Sequence, residues 1–366
     1  MDLIEKFFDK KLFTNYNTKR NYRRGIELYF KIINKDINTY FKSKQDYEAD
    51  IAKYFKYLLE TTTQMTRKNR INAVRQFLKV YDKKTRDLDI WETISYRLRN
   101  IESETEEMAL DQHDLKNILQ YADIGTKAMF LTMSSCGCRI GELLQLLPED
   151  IYLDETPTRI HFRNEITKTK SKRDSFITPE AKAALEAWLK VRDEYLINSA
   201  KKNTSNALRK RIKDKNIDAT KSLNDKRIFP MSDVNARSKW ETIVRKAGYD
   251  ERDKKTGRLK AHPHSLRKFF RSYLGNADLA EHIMGHKGYL STYRQYNTKQ
   301  LAVEYNKYMS NLSIFETNPD LTYINEELIE KDKEIERLTA RVEKLETLNE
   351  LRLLKKDIHE LKNGKK

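Results

Sequence analysis

Residues 138–151 run CRIGELLQLLPEDI. Arg139 and Glu142 stand three apart, which places them on the same side of a helix, and Leu143, Leu146 and Leu147 supply its apolar face. Taken alone, this is an ordinary Arg–Glu surface pair. Working outward, Asp111 to Leu147 reads as two or three helices. Ile160 to Ile177 then alternates β-branched and aromatic residues in the manner of short strands around the polar turn TKTKSK at 167–172. Helical periodicity returns from Pro179. The pattern predicts a mainly helical α+β domain with a small β-sheet.

Four further stretches carry chemistry-bearing side chains. In ITKTKSKRDSFIT (166–178), Lys168, Lys170, Lys172 and Arg173 crowd the turn of a strand-turn-strand unit. In HPHSLRKFF (262–270), His264 and Arg267 are three apart at the start of a helix whose Leu266, Phe269 and Phe270 face inward. MGHKG (284–288) sets His286 in a Gly-flanked turn, and LSTYRQYNT (290–298) brings Tyr293 and Tyr296. Each has an ordinary structural explanation: solvated hairpin lysines, a satisfied histidine, a packed tyrosine.

The order of the motifs separates them from chance. Arg-x-x-Glu, a lysine hairpin, His-x-x-Arg, Gly-His and then Tyr, over roughly Asp111 to Phe315, resembles the catalytic domain of the tyrosine recombinase (integrase) family. The wording HSLRKFF and GHKGYLSTYRQY is most similar to archaeal and phage-type integrases. The resemblance implies site-specific cutting and rejoining of double-stranded DNA through a covalent 3′-phosphotyrosine and a Holliday junction, by a tetramer on DNA.

The reaction explains the residue types. In-line attack on a phosphodiester builds negative charge on the non-bridging oxygens, which two fixed guanidiniums neutralise with forked hydrogen bonds. Arg139 and Arg267 match the family's positions for that clamp, and Glu142 would orient Arg139. A tyrosine hydroxyl has an unperturbed pKa near about 10 and must lose its proton to act, with His264 as the candidate base. The departing 5′-hydroxyl needs a proton, supplied in the family by the hairpin lysine. Lys168 fits that place because it precedes Arg173 by the family's five-residue step, with Lys170 as the fallback. His286 would hydrogen-bond the scissile phosphate. The energy of the broken bond is kept in the tyrosyl link, so neither ATP, metal nor cofactor is called for.

The nucleophile departs from the family's usual spacing of nine residues after the histidine, because Tyr293 lies seven and Tyr296 ten after His286. Tyr293 does stand eight before Leu301, the family's usual distance to the leucine opening the last helix, and is preferred to Tyr296; Tyr289 ranks below both.

Around this domain, residues 1–100 read as a basic helical domain similar to the family's core-binding domain. Two amphipathic helices stand out, Lys19 to Asn34 and Thr66 to Tyr81. IESETEE at 101–107 marks a linker, taken as 101–110, before a catalytic domain at 111–318. Lys201 to Lys226 holds nine Lys or Arg against three Asp and no aromatic residue, a solvated insertion or a DNA backbone contact. At 322–366 a heptad pattern (Leu328, Ile335, Val342, with Leu338 and Leu345) and a second seam (Leu351, Leu354, Ile358, Leu361) predict a coiled coil or a long helix for a partner.

Seventy-two Lys and Arg against 55 Asp and Glu give a formal charge of +17, a field that attracts a polyanion. Cys136 and Cys138 are too few for a disulfide framework or a zinc site and suit a reducing cytoplasm. No signal core or membrane-length run is present in the sequence. Two other readings fit the same residues: a type IB topoisomerase, which uses a similar site, and a non-catalytic DNA-binding or architectural protein derived from such an enzyme.

Overall fold

In the computed structural model, residues 2–13, 15–99, 105–211, 223–286 and 296–315 are described, with Arg337 and Arg341 as isolated positions; side chains are described for all of these except 201–211. The chain divides into two compact units, Met1–Glu106 with Arg252–Arg258, and Glu107–Glu251 with Leu259–Lys366.

The first unit contains helices α1 (Leu3–Lys10), α2 (Tyr16–Ile33), α3 (Tyr47–Thr61), α4 (Gln64–Tyr81) and α5 (Asp89–Arg97). The two expected amphipathic helices are α2 and α4. Helix α2 begins earlier than its apolar stripe because the Asn15 side chain caps it, accepting from the Thr18 N–H at 3.1 Å. Ile26, Tyr29, Phe30 and Ile33 of α2 and Ile71, Val74, Phe77 and Leu78 of α4 are buried, in the helical spacing of their sequence. Arg67, at the start of α4, closes the end of α3: it donates to the carbonyls of Leu58 at 3.2 Å, Leu59 at 3.3 Å and Thr62 at 2.7 Å.

The second unit begins with α6 (Gln112–Leu119) and α7 (Ile124–Cys136), followed by a single helical turn, α8 (Ile140–Leu143). A three-stranded antiparallel sheet comes next, in the order β1 (Ile151–Tyr152), β2 (Thr158–Phe162), β3 (Arg173–Ile177). Its register pairs Phe162 with Arg173 and His161 with Asp174, so the lysine-rich stretch forms a ten-residue loop over 163–172 rather than a tight turn. The unit continues with α9 (Pro179–Arg211), α10 (Asp233–Lys246), α11 (Pro263–Tyr273), α12 (Ala277–Ile283) and α13 (Thr298–Tyr308). Among the described residues the architecture is mainly helical with one small sheet, as the sequence pattern predicts.

Every residue of α7 is buried, which makes it the central helix of this unit, and it packs against α9 and α11. Such a helix cannot show a one-sided periodicity. The anticipated coiled coil at 322–366 lies outside the described residues apart from Arg337 and Arg341. Of the basic stretch Lys201 to Lys226, α9 occupies the part up to Arg211, and 212–222 lie outside the described residues. Among the described residues, no helix is long and apolar enough to cross a membrane.

Candidate active site

The site is built where α7 ends. Gly137 terminates that helix in the left-handed conformation, φ +62, which a residue without Cβ adopts at no steric cost. Its next-but-one neighbour, Arg139, is the N-cap of α8 rather than a residue within a longer helix, as the leucine spacing had suggested. From that cap its backbone N–H donates to Glu142 Oε2 at 2.9 Å and its guanidinium to Glu142 Oε1 at 3.0 Å. The Arg–Glu pair is therefore a local turn closing on itself, with Glu142 only 2% exposed.

A second guanidinium completes the environment of Glu142. Arg173, at the start of β3, lies 2.6 Å from Glu142 Oε2, donates to the Ile283 carbonyl at 3.0 Å and sits over the Phe162 ring at 4.5 Å. Burial pushes the Glu142 carboxyl upward, and the hydrogen bonds and charges of Arg173 and Arg139 overcome it, holding the carboxyl below its usual range.

Arg267 comes from α11 and is 2% exposed. It donates to the carbonyls of Gly137 and of Met284, the latter at 2.9 Å, and to His286 Nε2 at 2.8 Å. Burial, and then the positive charge of Arg139, push its pKa down to about 10, so it remains a cation at neutral pH. A buried guanidinium whose hydrogen-bond partners here include no carboxylate, beside a second guanidinium, is electrostatically prepared for an anion.

His286 is delivered by the turn that ends α12. Gly285 has φ +71, and the His286 N–H donates to the Glu281 carbonyl at 3.0 Å. Its Nδ1 is hydrogen-bonded to the Glu281 carboxylate, which also accepts from Arg271 Nε. Arg139, Glu142, Arg267 and His286 thus converge with Arg173 and Glu281, two residues that sequence reasoning left out. Arg173 served there only as a spacing marker in a lysine-rich run. Glu281, five residues before His286, shows no motif.

The other candidates stand differently. His264 is exposed on α11, one turn before Arg267. Partial desolvation, then the fields of His262 and of the Arg267 cation, hold its pKa below the ordinary histidine value, which favours the neutral ring a base requires. Lys168 is exposed on the 163–172 loop. Lys170, also exposed, adopts φ +53 and donates to the Glu165 carbonyl at 3.1 Å, so it is tied within its own loop. Tyr293 and Tyr289 lie outside the described residues. Tyr296 is half-buried, its ring 5.3 Å from that of His282 and packed on the edge of the core. Cys136 and Cys138 are free thiols buried beside Arg139. Just beyond the tyrosines, Asp174 of β3 accepts from His161 Nδ1 and from Thr298 Oγ1, each at 2.7 Å, fixing the start of α13 to the sheet.

Residues 108–302 match the model of the phage integrase family, more than half of the chain. Among solved structures, a lambda integrase dimer bound to a COC′ core site is similar at 12% identity with a TM-score of 0.50, covering 81% of this chain and 98% of that one. The Tn1549 transposon integrase in complex with transposon right end DNA is similar at 16% identity and TM-score 0.49, covering 83% and 98%. XerA recombinase is similar at 19% identity and TM-score 0.33, covering 83% and 95%. No curated protein matches by sequence. At these identities the structural likeness is one of fold, whereas the family match is one of sequence. The chain belongs to the phage integrase family of tyrosine recombinases.

Proposed function

We propose that this protein is a site-specific DNA recombinase that breaks and rejoins strands through a covalent 3′-phosphotyrosine. The observation that carries the reading is the pairing of Arg139 with buried Glu142 (3.0 Å) and of buried Arg267 with His286 (2.8 Å), with the two guanidiniums near enough for Arg139 to lower the pKa of Arg267. Double-stranded DNA is the proposed substrate, in keeping with the charge of +17 and with lambda integrase, a relative in fold bound to core-site DNA.

In this mechanism Arg139 and Arg267 donate to the non-bridging oxygens as the phosphorus becomes five-coordinate, and His286 adds a third contact. Tyr293 gives its proton to His264 and its oxygen attacks phosphorus. The bond to the 5′-oxygen breaks, and Lys168 protonates that oxygen as it leaves. Attack by a 5′-hydroxyl of the partner strand reverses these steps and releases the tyrosine, passing through a Holliday junction within a tetramer. The packing of Tyr296 against His282 supports Tyr293 as the nucleophile. The C-terminal heptads would join copies of the chain or recruit a partner.

The test is a trapping assay without divalent metal, using nicked duplexes from the gene's own genomic neighbourhood and wild-type, Tyr293→Phe and Tyr296→Phe protein. A covalent adduct lost only in Tyr293→Phe is the expected result. DNA binding with no adduct from wild-type protein on any duplex would overturn the enzyme reading in favour of an architectural one.

A further inference from the structure

The imidazole of His286 is bracketed by groups of opposite hydrogen-bonding character. Arg267 can only donate, so at 2.8 Å it requires a lone pair on Nε2. The Glu281 carboxylate at Nδ1 can only accept, so it requires a proton there. Together these contacts fix the neutral ring with its proton on Nδ1. The Nη2 of Arg267 has two hydrogens; one goes to the Met284 carbonyl at 2.9 Å and the other to His286. The Nε2 lone pair therefore stands where an anionic oxygen would take the same hydrogen.

A phosphate oxygen is an acceptor only. To hydrogen-bond it, Nε2 must carry a proton, and it can gain one in two ways: the ring moves its proton from Nδ1 to Nε2, or it takes up a second proton. The first way would leave a lone pair on Nδ1 facing the Glu281 carboxylate, two acceptors in contact. The second makes an imidazolium flanked by a carboxylate, a charge-assisted pair. The other charged groups around the turn do not offer this choice. Arg271 reinforces Glu281 from α11, Arg173 from β3 packs against Gly285, and Arg139 and Glu142 on the α8 turn are already paired with each other. Glu281 itself is held below its usual carboxyl range: burial raises it, and Arg271 and His286 outweigh that.

We infer that Glu281 is a positioning residue that makes phosphate contact by His286 proton-coupled, holding the ring as the Nδ1–H tautomer against Arg267 and as the imidazolium against a phosphate oxygen. One proton passes from solvent to Nε2, and the Nη2–H of Arg267, still on its nitrogen, redirects its hydrogen bond from Nε2 to the phosphate oxygen. The inference rests on His286 being a phosphate ligand and adds that the ligand is a cation that must be charged on contact.

The experiment is nitrogen NMR of the full chain with labelled histidine at mildly alkaline pH, the His286 signals assigned with His286→Asn, and inorganic phosphate as the probe. Wild-type protein is expected to show the neutral Nδ1–H ring and to lose its unprotonated-nitrogen signal as phosphate is added. In Glu281→Gln the amide can donate to Nδ1, so phosphate should instead select the neutral Nε2–H ring. Phosphate affinity should fall as pH rises through the alkaline range in wild-type, by up to about tenfold per pH unit for one coupled proton, and stay nearly flat in Glu281→Gln. A wild-type ring that is Nε2–H before phosphate, or neutral or unchanged at saturating phosphate, overturns the inference, and that wild-type readout stands even if the variant fails to fold. Because the probe is phosphate, the result is independent of whether a DNA adduct forms, so failure of the recombinase reading is seen separately.

Discussion

Glu142 Oε2 lies 2.6 Å from Nη2 of Arg173, with the two side chains only 3% and 9% exposed. The pair joins the α8 turn that carries Arg139 to the third strand. Through the second bond of Arg173, to the Ile283 carbonyl, it also reaches the turn that carries His286.

Removing one partner leaves a buried charge short of its counterion. Arg173→Met should cost roughly 3 kcal/mol in denaturant unfolding, while Arg173→Lys, which keeps charge but loses the fork, should fall between. A methionine variant as stable as wild-type would show that Arg139 alone satisfies Glu142.

The proposed clamp should distinguish geometry from charge. Arg267→Lys keeps a cation but presents its donors from one nitrogen, and cannot reach the Gly137 and Met284 carbonyls and a phosphate oxygen together. Single-turnover adduct formation should fall about 100-fold or more, with DNA binding little changed. Equal losses in binding and cleavage would reassign Arg267 to ground-state binding.

Gly137 is constrained twice. Its φ of +62 disfavours a side chain, and a Cβ there would run into the Phe270 ring. Gly137→Ala should destabilise the protein by about 2–4 kcal/mol and, by moving the carbonyl that holds Arg267, slow cleavage more than the stability loss explains. Unaltered melting of Gly137→Ala would refute the argument.

A pH effect is expected from Glu180, which is 4% exposed and accepts from the Ile314 and Phe315 N–H groups, each at 2.8 Å. Burial raises its pKa from 4.5 to about 7, against the pull of those two N–H groups and Lys127. The protonated form is thus favoured by folding. Its stabilisation is complete below pH 4.5 and is lost as pH rises through about 7, an effect on the order of 3 kcal/mol. Glu180→Gln should flatten this part of the stability–pH curve, measured by thermal melting across the same window.

Much of the fold could be read from the chain because its signals are local. The stripes of α2 and α4, the alternation around β2 and β3 and the His264–Arg267 step each span a few residues. The all-buried α7 gives no such signal, because a helix surrounded by core has no polar face. Arg67 was legible as a cation but not as the cap of α3, since the carbonyls it closes belong to another helix.

The sequence by itself determined the order in which the candidate groups occur along the chain, because His-x-x-Arg, Gly-His and the tyrosines are read from neighbours. Only the tertiary structure decided their company. Arg173 reaches Glu142 across 31 residues and Ile283 across 110, and Arg267 reaches Gly137 across 130. Those partnerships arise because a buried charge must find donors or acceptors wherever packing brings them, and packing is not a property of sequence spacing.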